Sequence, residues 1–216
     1  MIADPIDIKP DRRRARTRAA LLQAGESLFA AQSVDAVSID DIVAAADVAK
    51  GSFYNHFTDK EALAREIARQ VRAEAEARVD QVNEGVTDPA RRMARAQTVI
   101  VRFALENPER ARAMMRLFAG ATLPDAPLNR GVRSDIEAGL ARGGFRGLTV
   151  ETGVLMAMGM AMVAVSRVLE PRGQTPASDL CRDLNFGLLR GLGVAEDLAR
   201  TVSDAAADDI FTETRS

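Results

Sequence analysis

The sequence has no tryptophan, one tyrosine, one cysteine and one histidine. Aromatics make up only 4% of it, so the core must come from Leu, Val, Ile, Ala and Met, which favour helix over sheet. A single cysteine, Cys181, rules out an intrachain disulfide. With one His and one Cys there is no Cys/His cluster, and a metal would have to rest on carboxylates alone. No G-x-S-x-G, no Walker Gly-Lys loop and no G-x-G-x-x-G behind a strand is present, so no enzyme motif, cofactor or metal is expected. The longest uncharged apolar run, Gly153 to Ser166, falls short of the roughly 20 residues that span a bilayer. The start, Met1-Ile2-Ala3-Asp4-Pro5, lacks a basic-then-apolar signal pattern. The expectation is a cytoplasmic protein with no membrane partner.

What is present is a chain of 216 residues, 28% charged, with a net charge of -2. The cations are unevenly spread. Lys9, Arg12, Arg13, Arg14, Arg16 and Arg18 crowd one short stretch opposed only by Asp11, and such an arm can hold phosphates even on an acidic protein. No stretch alternates with period two, and nearly everything after residue 11 carries helical periodicity. Helices are predicted over 12–31, 39–45, 49–56, 59–84, 89–106, 108–119, 127–142, 149–170, 176–191 and 195–209. Ser38 with Asp41, and Thr58 with Glu61, have the spacing of capping boxes. Asp88-Pro89, Asn107-Pro108 and Thr175-Pro176 each pair an N-cap residue with Pro at the first helical position. The fold class is all-α. A small helix-turn-helix module over 12–58 is followed by a helical ligand-binding and dimerisation body over 59–216, the helix at 59–84 connecting them.

Two short helices separated by about three residues, behind a longer one, outline a DNA-reading module. The second short helix has fitting chemistry. Lys50 places a cation near its N-terminus, and Gly51 lets the backbone approach a duplex. Ser52, Tyr54, Asn55 and His56 all carry donors for phosphates or base edges. Phe53 and Phe57, four apart, would pin the helix to the module's core.

The string Ser38-Ile39-Asp40-Asp41-Ile42, then Ala45-Ala46-Asp47-Val48-Ala49-Lys50-Gly51-Ser52-Phe53-Tyr54-Asn55-His56-Phe57, then Asp59-Lys60-Glu61-Ala62-Leu63 resembles the signature of the TetR/AcrR family of transcriptional regulators. The likeness covers about 13–71. It implies a repressor that binds a palindromic operator in double-stranded DNA as a homodimer and leaves it when a small-molecule effector binds the body. It also implies that Lys50, Tyr54, His56 and Lys60 grip the DNA backbone, that Gly51, Ser52 and Asn55 face bases, and that Ser38 bonds a phosphate or caps its helix. Arg16 and Thr17 would reach a flanking phosphate, or the arm would enter the minor groove. The sequence departs from the family pattern at Asp47 and Ser33, where Gly is usual, and at Ala49, where a Ser cap is usual. Asp tolerates a left-handed backbone better than most residues. The acids Asp40, Asp41 and Asp47 make the module less basic than is usual in the family.

In the body, small residues at Gly153, Ala157 and Ala161, and at Gly187 and Gly191, recur one turn apart. Such stripes pack either within a subunit or, as a dimer seam, against a second copy in an intersubunit bundle. Methionines suit permissive pockets. Phe103, Met114, Phe118, Leu155, Met158 and Met162 are the candidates for a ligand chamber.

Overall fold

The computed structural model describes residues 8–117, 129–170 and 175–212; side chains are described from residue 12 onward. Phe118 and the helix ends expected at 119 and 127 lie outside the described residues. Among those described, all regular structure is helical.

Helix α1 (Ile8–Ala31) begins a turn before the predicted residue 12. Its buried face carries Leu21, Ala24 and Phe29. A 3-10 turn over Val34–Ala36 follows, with Ser33 in an extended conformation rather than the left-handed one a Gly would supply. Helix α2 (Ile39–Ala45) starts with a complete capping box. Ser38 Oγ accepts from the Asp41 N–H at 3.1 Å, and Asp41 Oδ2 accepts from the Ser38 N–H at 2.9 Å. Between α2 and α3 (Lys50–Tyr54) the chain reverses through Asp47 at φ 52°, the only described non-glycine residue with positive φ. The Val48 N–H then closes the turn on Val43 O at 3.1 Å. Ala49 contributes no side-chain cap to α3, as its methyl dictates.

Helix α4 (Lys60–Val82) is capped by Asp59, not by the expected Thr58. Asp59 Oδ1 accepts from the Ala62 N–H at 2.6 Å, and the Thr58 hydroxyl donates to Asp59 Oδ2. A carboxylate is the stronger acceptor at a helix N-terminus. The crossing of α1 and α4 is close at Gly25, where a Cβ would stand 2.8 Å from Leu63 Cδ2. One apolar core joins these elements. It holds Leu21, Phe29, Val37, Ile42, Phe53, Phe57, Leu63, Ile67 and Val71, and it reaches into the body through Phe103.

The body is built round α5 (Pro89–Glu106), which packs against α4, α7 (Arg130–Ala141), α8 (Val150–Leu169), α9 (Ala177–Gly191) and α10 (Glu196–Thr212). Helix α6 (Pro108–Leu117) lies against α1, α4 and α8. Of the three predicted N-cap–Pro starts, only Asp88 caps with its side chain, accepting from the Arg91 N–H at 2.8 Å. Asn107 turns its amide back to Phe103 O, and α9 has Pro176 itself at the cap position. A second core gathers Met93, Ile136, Phe145, Val154, Ala157, Leu188 and Leu192. Helix α8 extends past the apolar run seen in sequence and is long and apolar enough to cross a membrane by length and composition.

Asp47 holds a conformation that costs an ordinary L-residue about 1–2 kcal/mol and a β-branched one more. Thermal unfolding should therefore show Asp47→Val destabilised by at least about 1 kcal/mol and Asp47→Gly unchanged or slightly stabilised. Equal loss in both variants would place the strain elsewhere.

Candidate nucleic-acid interface

Helix α3 has only five residues, so its pose comes from its anchors. Phe53 is fully buried and Phe57 nearly so, their ring centroids 5.9 Å apart. The N–H groups of His56 and Phe57 both close on Phe53 O at 2.9 Å, continuing the turn past Tyr54. With the phenylalanines inward, Lys50, Gly51, Tyr54 and Asn55 are exposed, while Ser52 and His56 are half-buried. The Tyr54 ring leans edge-on against Phe53 and remains 54% exposed. A Cβ on Gly51 would meet nothing within 4 Å, so the protein's own packing does not require glycine there.

Of the implied roles, that of Lys60 changes, and Ser38 takes up the helix-capping one of its two. Lys60 Nζ donates to the carbonyls of Asp35 and Val37 at 3.1 and 2.9 Å, so it ties α4 to the approach of α2. Ser38 is engaged in the capping box, and its hydroxyl donates to Asp41 Oδ2 at 2.6 Å. Lys50 is held by a partner overlooked in the sequence: its Nζ lies 2.7 Å from Asp40 Oδ1, a pairing that raises the lysine pKa. Burial, then Arg14 and Arg18, push His56 below the usual imidazole range, so it is neutral at neutral pH and offers a single N–H.

Beside α3 stands the arm. Arg12, Arg13, Arg14 and Arg16 are exposed, and among the described residues none is held in an ion pair; Thr17 is half-buried. Arg18 is committed to Glu66 at 2.8 Å and lies over the Phe57 ring at 5.5 Å. Glu66 in turn is pulled down to about 2 by Arg69 and Arg18.

In the body, a cavity of about 280 Å³ opens between α4, α5, α6, α7 and α8. Met114, Met158 and Met162 line it, with Met93 and Met115 beside them. Phe103 does not: it is sealed in the first core with Arg78 over its ring at 5.0 Å. Leu155 does not either, since it faces outward, 41% exposed. The small-residue stripe of α8 is likewise turned inward. A Cβ on Gly153 would stand 2.9 Å from Ile136 of α7, Ala157 is fully buried, and Ala161 lines the cavity. Those three residues serve contacts within one subunit. On α9, Gly187 and Gly191 are exposed. Sequence reasoning missed the polar wall of the cavity, Arg72, Glu76 and Asp80 of α4 with Arg92 and Asp135. The four-residue spacing of 72, 76 and 80 on one helix was the available signal.

An outward polar face on a buried aromatic anchor, joined to a helical body with a cavity, has the outline of a helix-turn-helix module set on a helical body. Residues 21–67 match the model of the bacterial regulatory proteins of the tetR family. The HTH-type transcriptional repressor DhaR of Mycobacterium sp. (strain GP1) is 39% identical over 57 residues, which are 26% of this chain and 29% of that repressor. The crystal structure of RolR in complex with the ligand resorcinol is similar at 25% identity and a TM-score of 0.59, over 89% of this chain and 95% of that one. A gamma-butyrolactone receptor (ArpA-like protein) shares the fold at 21% identity and a TM-score of 0.65, over 93% of this chain and 98% of that one. The match to the bacterial regulatory proteins of the tetR family thus lies in the N-terminal module, and the chain spans less than a third of the curated repressor it matches.

A phosphate that engages Lys50 meets the Asp40 carboxylate beside it, which repels it and competes for the ammonium. Asp40→Asn should therefore tighten binding to any duplex by about two- to fivefold at low salt, the gain fading as salt rises. Fluorescence anisotropy on labelled DNA measures it. The same gain in a Lys50→Ala background would mean that Asp40 acts by bulk charge and not by holding the lysine.

Proposed function

We propose that the protein is a sequence-specific transcriptional repressor of the cytoplasm that grips a palindromic operator as a homodimer and is released when a small molecule fills the cavity of its body. The observation that carries this is α3, a short rod whose aromatic side is buried and whose Lys50, Gly51, Tyr54 and Asn55 stand outward. Lys50, Tyr54 and His56 contact phosphates and fix the register; Asn55, Ser52 and the bare backbone at Gly51 face base edges. The arginine arm, with Arg16 and Thr17 at its inner end, adds salt-sensitive phosphate contacts.

The dimer seam follows from what α8 and α9 leave uncovered. Leu155, Gly159 and Val163 form an outward apolar stripe on α8, with Val163 at 67% exposure. Gly187 and Gly191 are exposed on the neighbouring α9, where a Cβ at 191 would strike Met156. An apolar stripe of this kind on a soluble protein marks a contact surface, and two copies related by a two-fold axis bury it in a four-helix bundle. This outward face replaces Gly153, Ala157 and Ala161 as the α8 half of the seam, and it accounts for the apolar length of α8 without a bilayer.

RolR was crystallised with the ligand resorcinol, and we assign the cavity of this chain to a small molecule in the same way. The route from cavity to DNA runs through α4 and α6. Helix α6 brings Met114 and Met115 to the cavity, and its Arg110 pairs with Glu74 of α4 at 2.6 Å and Glu26 of α1 at 3.4 Å. Repression relieved a hundredfold requires an effector that favours the released state by about 2.7 kcal/mol.

The seam gives the cleanest test. Val163→Glu should leave the helical circular dichroism intact, turn a dimer into a monomer in sedimentation equilibrium at micromolar concentration, and abolish operator binding. A wild-type monomer, or a variant that stays dimeric and bound, would contradict the proposal.

A further inference from the structure

Among the described residues that line the cavity, the charges balance. Arg72, Arg92 and Arg130 stand against Glu76, Asp80 and Asp135 among the described lining residues. Arg92 is already spent, on Asp135 at 2.6 Å and on the carbonyls of Asn83 and Val86 at 3.4 and 3.2 Å. Admitting a charged ligand would leave one charge uncompensated in a half-buried site, which is costly.

Two polar atoms of cavity-lining residues make no hydrogen bond within the protein, although Arg72 is ion-paired with Glu76. Arg72 Nε is buried and makes no hydrogen bond; Glu76 Oε1 lies 3.3 Å away but is not aligned to accept from it. Gln97, 9% exposed, spends its Nε2 on Ala157 O at 2.7 Å, which leaves Oε1 with no protein donor. The wall therefore presents one N–H to be accepted and one carbonyl oxygen to be donated to. A hydroxyl can do both, a carboxylate only accepts, and an ammonium only donates. The facing surfaces of α6 and α8 supply Met114, Met115, Met158, Met162 and Val165 and no polar atom of their side chains beyond thioether sulfur. Methionine adapts its shape and makes favourable sulfur–aromatic contacts. At about 280 Å³ the cavity is at the small end of ligand sites.

We propose that the cavity selects an uncharged amphiphile of small size, a phenol or an aryl-substituted alcohol, seated with its apolar body on the methionines and its hydroxyl between Arg72 Nε and Gln97 Oε1. This rests on the reading of the cavity as the effector site and specifies its ligand class.

Three probes of one shape test it by calorimetry on the full chain: 3-phenylpropan-1-ol, 3-phenylpropanoate and 3-phenylpropylammonium. The alcohol is expected to bind at least tenfold more tightly than either ion. Arg72→Met should weaken the alcohol by about three- to tenfold, the effect of one lost hydrogen bond. It should also strengthen the ammonium, because Glu76 is left without its counter-charge. Equal or tighter binding of the carboxylate or the ammonium to the wild type overturns the proposal, as does no binding of any probe. A mobility-shift measurement on operator DNA separates the two claims. An alcohol that binds as described but leaves the DNA complex intact upholds the ligand class and refutes the effector role.

Discussion

A five-residue helix has too few internal hydrogen bonds to hold its own shape in water, because the first turn costs more order than one bond returns. Helix α3 stands only because Phe53 and Phe57 are driven into a core shared by α1, α2 and α4. That burial sets which way the helix faces. Rotated by one residue it would bury Tyr54 and expose a phenylalanine, and the cations and amides beside it would point into the protein. The left-handed turn at Asp47 and the capping box of Ser38 and Asp41 serve the same end by fixing the angle between α2 and α3. The surroundings restrain the reading face as well. Asp40 holds Lys50, and Arg18 is drawn to Glu66 and stacked on Phe57, so part of the positive charge of this face is held in place by the protein itself.

The same core joins the N-terminal module to the body. Phe103 of α5 and Met114 of α6 pack into it alongside Leu63, Ile67 and Val71 of α4. Close-packed interiors shift in discrete steps and do not deform smoothly. A displacement of Met114 would therefore be felt by the N-terminal module that it packs against. The ion pairs of Arg110 with Glu26 and Glu74 brace that junction. Burial raises the pKa of Glu26 despite the Arg110 guanidinium beside it, with Glu109 and Glu74 adding to the rise.

Much of the fold was legible because helical caps and aromatic spacing are local signals. The α2 range, the α5 range and the outward set on α3 follow from residues within four positions of one another. Thr58 was misjudged because two adjacent residues compete for one cap and only their geometry decides between threonine and aspartate. Lys60 looked like a phosphate ligand because sequence shows a cation but not the Asp35 and Val37 carbonyls waiting for it. The body was harder. Helix α8 is apolar nearly all round, so periodicity could not tell which side meets α7, which lines the cavity and which faces out. Small residues turned out to mark close packing on Ile136, and bulkier Leu155 and Val163 the outer face. Phe103 was assigned to a chamber on apolar size alone, yet size equally suits a core. The polar cavity wall was hidden because Arg72, Glu76 and Asp80 look like an ordinary solvated helix face until α7 is placed across the cavity from them.

Footprinting the DNA that flanks the protein's own gene tests the central claim most directly, since it asks whether the exposed face of α3 meets a duplex twice. The account predicts two protected half-sites of opposite orientation, centred about 34–36 Å apart or a multiple of that, with protection lost when Lys50 and Asn55 are replaced by alanine. Protection of one isolated half-site, or a footprint that survives those replacements, would contradict it.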